Sequence, residues 1–118
     1  MTDKVVVLVT CGNLAEARRI ARAAVAARLA ACVNILPGAV RSVYRWKGKV
    51  ESASERLLLI KTSRGRLAAL QATVERLHSY HVPEFIAVSV AAGSPGYLAW
   101  VDQCLADPSR GKRKSGRA

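Results

Sequence analysis

Residues 4–11 read Lys-Val-Val-Val-Leu-Val-Thr-Cys, apolar at successive positions and rich in β-branched side chains. A half-buried strand would alternate apolar and polar residues, so this run predicts a strand covered on both faces. Two further stretches, 31–36 and 57–60, share the feature. A fold that accepts this chain must therefore cover a central sheet on two sides.

Helical periodicity fills the gaps between these runs. Asn13 offers an N-cap and Glu16 the acidic residue of a capping box. Ala17, Ile20, Ala21, Ala24 and Val25 then share one stripe opposite Arg18, Arg19 and Arg22, and the helix is predicted to end near Arg28. The strand at 31–36 is interrupted at Pro37-Gly38 and resumes over 41–46. Lys47-Gly48-Lys49 is a glycine-centred hairpin tip, and the return strand is predicted over 50–62. A second helix from about Arg64 carries Leu67, Leu70, Val74 and Leu77 on its buried stripe. A strand follows over 85–90, and after Gly93-Ser94-Pro95-Gly96 a third helix runs from Tyr97 to near Pro108.

The order β-α-β-β-α-β plus a helix predicts an α+β, ferredoxin-like (split βαβ) domain with a long central hairpin. At 118 residues the chain is one domain, predicted over 1–108. Helices in this fold cover only one sheet face. The second apolar face is therefore expected to lie against other copies of the chain. Residues 109–118 are predicted to form a disordered basic tail. Arg110, Lys112, Arg113, Lys114 and Arg117 put almost half of the net charge of +11 there, with no acid. Such a tail binds nucleic acid weakly, if at all. The apolar run at 5–9 is too short for secretion or membrane insertion. Three cysteines, Cys11, Cys32 and Cys104, are odd in number and not closely spaced, which predicts free thiols and a cytoplasmic location.

Both histidines, His78 and His81, fall in Leu77-His78-Ser79-Tyr80-His81-Val82-Pro83-Glu84-Phe85, where helix gives way to strand. Imidazole, phenol and carboxylate are gathered at an edge that a scaffold can hold, and Pro83 biases Val82 to an extended backbone. The plainer alternative is a turn in which His78 favours the negative end of its helix.

Several short motifs, in the same order, resemble the CutA divalent-cation tolerance family. They are Thr10-Cys11, Ala31-Cys32-Val33-Asn34-Ile35, Ser42-x-Tyr44-x-Trp46-Lys47-Gly48-Lys49 with Glu51, Leu59-Ile60-Lys61-Thr62, His78-x-Tyr80 with Pro83-Glu84, and Tyr97-Leu98-x-Trp100. The resemblance spans about residues 4–105. It implies a tight homotrimer related to the PII signalling proteins, in which each hairpin extends a neighbour's sheet. It also implies binding of copper or other divalent cations and no defined catalytic activity. The metal ligands it implies are Cys11, Cys32 and His78, a soft thiolate and imidazole set suited to copper or zinc.

Cys11 and Cys32 are expected near the ends of two neighbouring strands. Each cysteine reads equally well as a small buried apolar residue. Where the family pattern has proline and glutamate, this chain has Ser79 and His81. His81 and Glu84 are thus possible additional metal ligands, with affinity falling as imidazole takes up a proton in mild acid.

The alternative function is a PII-like signalling or scaffold module. Its small anionic ligand or protein partner would sit in an intersubunit cleft lined by Tyr44, Trp46, Lys47, Glu51, Tyr80, Glu84 and Trp100. RNA recognition through the sheet is disfavoured, because the two central strands carry no aromatic residue. Catalysis is not expected. The loop after the first strand, Cys11-Gly12-Asn13, lacks the arginine of the acylphosphatases that share the fold, and no nucleophile–base pair can be argued.

Overall fold

The structure, a computed structural model, describes residues 2–106. The predicted tail at 109–118 and the predicted domain end at 108 lie outside these residues. The elements are β1 (Lys4–Cys11), α1 (Leu14–Ala26), β2 (Cys32–Trp46), β3 (Lys49–Ser63), α2 (Leu67–Leu77), β4 (Ile86–Ser89) and α3 (Pro95–Leu105). A 3-10 turn, Arg64–Arg66, leads into α2. The four strands form one antiparallel sheet in the order β2-β3-β1-β4, the ferredoxin-like arrangement. No helix among the described residues is long and apolar enough to cross a membrane.

One expectation is overturned: β1 and β2 are not neighbours, because β3 lies between them. The tight hairpin commits one edge of β3 to β2. The crossover through α1 leaves a one-strand gap, and the free edge of β3 fills it.

Register assigns the two faces. Val5, Val7, Val9 and Cys11 lie opposite Thr62, Ile60, Leu58 and Arg56 of β3. All of these except Arg56 are buried, beneath Ala17, Ile20 and Ala24 of α1 and Leu70 and Val74 of α2. The other face carries Val6 and Leu8, paired with Val88 and Ile86 of β4, together with Leu57 and Leu59 of β3. Ile86 and Val88 are 52% and 50% exposed, so the apolar face is bare at this edge.

The α1 N-cap forms as expected, with Asn13 Oδ1 accepting from Glu16 N–H at 2.8 Å. Val25, placed on the buried stripe, is exposed in the last turn. The predicted break at Pro37-Gly38 is a bulge inside one long strand. Leu36 pairs with Leu57 and Val40 with Glu55, so β2 advances four residues while β3 retreats two. Proline has no N–H to give the ladder, and the extra residues remove it from pairing.

Beyond the Cys11–Arg56 pair, the arms from Val40 to Glu55 pair only with each other among the described strands. The molecule is accordingly elongated, 52 Å against 28 and 26 Å. Lys47 and Gly48 have φ of 50° and 80°, the two positive values that a two-residue type I′ turn requires.

The third helix starts earlier than predicted. Ser94 caps it and Pro95 takes the first turn, where a missing N–H is not needed. It is fastened across the end of the sheet where β1 begins. Lys4 Nζ meets Asp102 Oδ1 at 2.9 Å, Arg28 donates to the Cys104 carbonyl at 3.0 Å, and Arg66 donates to the Leu105 carbonyl. Ala31, Val101 and Leu105 are buried in this contact.

Candidate metal centre and the adjoining cleft

The end of α2 delivers His78 to the end of β1. His78 is the C-cap, with its backbone extended at φ −82° and ψ 140°, so the ring swings away from the helix axis towards the sheet. Its Nε2 stands 2.7 Å from the Thr10 carbonyl, which accepts and so requires the proton on Nε2. Nδ1 is then free to accept, and Tyr80 N–H donates to it at 3.0 Å. Both contacts fit the neutral Nε2–H imidazole.

Glu16, read from sequence as a capping residue, turns inward instead. It is 3% exposed; Oε1 accepts Ser79 N–H at 3.1 Å and Oε2 lies 3.4 Å from His78 Nδ1. Oε2 is buried with no hydrogen-bond partner among the described residues. The Cys11 thiol completes a group in which one ligand atom from each of Cys11, Glu16 and His78 lies within 4.8 Å of the others. Burial pushes that thiol up to about 12, and the nearby Glu16 and Glu55 carboxylates add to the shift.

Of the ligand set implied by resemblance, the chain thus brings Cys11 and His78 together and leaves Cys32 apart. Cys32 pairs with Lys61 and Cys11 with Arg56, five residues away along β3. That is about 16 Å of strand. Since Val33 and Val7 share Ile60 as partner, Cys32 also faces the opposite side of the sheet from Cys11. Glu16 was missed because its spacing from Asn13 already had a helical explanation.

On the other side of Tyr80 a cavity of about 340 Å³ opens between the hairpin and the 80–84 loop. Tyr44, Trp46, Tyr80 and Glu84 of the predicted cleft line it, as does His81; Lys47, Glu51 and Trp100 do not. Trp100 instead stacks near Tyr97 on α3, ring centroids 5.5 Å apart. Glu55, not singled out from sequence, also lines the cavity and accepts the Tyr80 hydroxyl at 2.8 Å through Oε2. Strand parity holds the signal for it, since Glu55 shares a face with its partner Val40 and so with Ser42, Tyr44 and Trp46. Tyr80 is raised well above the ordinary phenol range, by burial first and by the Glu55 hydrogen bond second. Glu84 is raised by burial and then by Glu55. His81 and Glu84 lie outside the Cys11–Glu16–His78 group.

Residues 5–104 match the family described as CutA1 divalent ion tolerance protein. Protein CutA of Mus musculus is 50% identical over 95 residues, which is 80% of this chain and 53% of the mouse protein. The chain thus spans about half the length of that curated relative. The divalent-cation tolerance protein CutA of Thermus thermophilus is 48% identical over 96 residues, covering 81% of this chain and 92% of its own length. The crystal structure of CutA from Xylella fastidiosa superposes with a TM-score of 0.85 at 43% identity, covering 89% of this chain and 100% of that one. With its four-stranded antiparallel sheet, its long hairpin and a match over nearly all the described residues, the chain belongs to the CutA1 divalent ion tolerance protein family.

Proposed function

We propose that this protein serves divalent-cation tolerance by binding copper or another thiophilic divalent cation at Cys11, Glu16 and His78, as a cytoplasmic homotrimer. The observation that carries the reading is the buried Glu16 Oε2, which has no hydrogen-bond partner among the described residues and lies beside an imidazole and a thiol. A buried acceptor left unpaired is costly, and a cation would satisfy it. The donor set of thiol, imidazole and carboxylate suits copper or zinc.

Binding would require the Cys11 thiol to lose its proton and the Tyr80 N–H to give up His78 Nδ1. The first cost releases a proton and predicts an affinity that rises with pH; the second lowers affinity at every pH. The free thiols Cys11 and Cys32 suit a reducing compartment.

Trimer formation is supported by the bare apolar sheet edge and by the protruding hairpin, where Val43 and Val50 are 71% and 67% exposed. Light scattering at micromolar concentration should return three times the chain mass, and a monomer mass would sink this part of the reading.

Equilibrium dialysis with copper and with zinc tests the site. Cys11→Ala, Glu16→Gln and His78→Ala should each weaken binding at least about tenfold, a ligand's worth, while Cys32→Ala leaves it unchanged. Loss of binding in Cys32→Ala as well would move the site to one assembled between copies. Unchanged affinity in the first three variants would remove it.

A further inference from the structure

The cavity beside Tyr80 has a chemistry that the metal centre does not use. Three aromatic side chains, Tyr44, Trp46 and Tyr80, border it and are 42%, 47% and 36% exposed, so parts of their rings remain open to a ligand. Two carboxylates, Glu55 and Glu84, share the lining, and no lysine or arginine does. In a chain with nineteen basic and eight acidic residues, a cavity with acids and no such cation runs against the background composition.

Glu55 is 6% exposed. The Tyr80 hydroxyl donates to one of its oxygens, Oε2, at 2.8 Å. A buried carboxylate held by one oxygen, at the wall of an aromatic-lined cavity, presents negative charge to whatever enters.

We propose that this cavity is a binding site for a small organic cation, an alkylammonium group seated against the faces of Tyr44, Trp46 and Tyr80 and neutralised by Glu55 and Glu84. Ring faces carry negative potential and attract quaternary and primary ammonium groups, most strongly when the cation leaves water. An anionic ligand would meet two carboxylates and no compensating lysine or arginine.

A bare metal ion fits less well. Among the described residues, the group of three ligating side chains that meets within 4.8 Å is Cys11–Glu16–His78, and Glu55, His81 and Glu84 form no such group. The volume, about 340 Å³, is at the lower end for a small-molecule site and far larger than one ion needs. The aromatic walls come from β2 and from the loop after α2, so a ligand would bridge the protruding hairpin and the body of the domain.

Isothermal titration of the full chain with choline, and separately with its neutral isostere 3,3-dimethylbutan-1-ol, tests the assignment. Choline should bind saturably, and the isostere at least about tenfold more weakly, because only the charge distinguishes them. Glu84→Gln should weaken choline binding by about the same factor, and Trp46→Leu should do so with an unchanged circular dichroism spectrum. Glu84 is exposed and its glutamine variant keeps the shape, so a folding defect cannot stand in for lost binding there. Equal binding of the two ligands, no choline binding at 20 mM or about that concentration, or wild-type affinity in both variants would each overturn the proposal. Copper affinity should be unchanged in Glu84→Gln, which separates this site from the metal centre.

Discussion

His78 Nε2 stands 2.7 Å from the Thr10 carbonyl, a contact across 68 residues that ties the end of α2 to the end of β1. It fixes the ring's tautomer and thereby its other partner, Tyr80 N–H. The same contact aims Nδ1 at the unpaired oxygen of Glu16 and sets Tyr80 on its course towards Glu55. One hydrogen bond thus positions both the Cys11–Glu16–His78 trio and one wall of the cavity.

Removing that ring should be expensive. His78→Ala leaves the Thr10 carbonyl and the Tyr80 N–H without their partners and opens a buried space. A loss of about 2–4 kcal/mol is expected from urea unfolding. Glu16→Gln should stay within about 1 kcal/mol of wild type, since its amide can still accept Ser79 N–H and can donate to Nδ1. A His78→Ala variant as stable as wild type would contradict this geometry.

The Cys11 thiol should be inert in the folded protein. With its acidity pushed up to about 12 and no exposed surface, it should resist iodoacetamide at pH 8 until denaturant is added, as read by peptide mass mapping. The sign of the pH effect follows. Below the ordinary value of 9.0 the thiol is neutral in both states and contributes no pH dependence. Above it the unfolded chain loses a proton that the folded chain keeps. Stability should therefore fall as pH rises from 9.0 to about 12. The slope is about 1.4 kcal/mol per pH unit for one proton. Cys11→Ala should abolish that component.

Tyr80 and Glu55 form the link between the 80–84 loop and the hairpin. Tyr80→Phe leaves a buried carboxylate oxygen without its donor and should cost about 1.5–3 kcal/mol. Gly12→Ala tests the same link from behind, because its methyl would come 3.3 Å from the Tyr80 hydroxyl. A smaller loss, under about 1 kcal/mol, is expected as the ring yields. A Tyr80→Phe variant as stable as wild type would mean that the hydroxyl contributes nothing.

Glu84 should lower stability at neutral pH. Burial, with Glu55 second, raises its carboxyl above 4.5, so the unfolded chain gives up its proton first as pH rises. Its contribution to stability falls between 4.5 and the raised value and stays low above it. Glu84→Gln should therefore raise the urea midpoint at pH 7 more than at pH 4. A gain confined to pH 4 would reverse the sign.

The amino-acid sequence by itself determined the element order, the hairpin tip and the N-cap at Asn13, because each follows from local periodicity and turn chemistry. It also carried the family, through motifs too many and too well ordered to be incidental. Tertiary structure decided which chemistry meets. Cys11 and Cys32 look alike as strand-end thiols, yet β3 separates their strands and parity turns them to opposite faces. Glu16 satisfies a helix cap on paper, while in the fold its backbone N–H does so and its carboxylate is drawn to His78, 62 residues away. Glu55 looks like one more polar residue near a hairpin until the register sets it beside Tyr80. Local pattern fixes where a side chain sits along its own element. Pairing register and helix packing fix which distant side chain it faces, and the candidate sites lie in those long-range contacts.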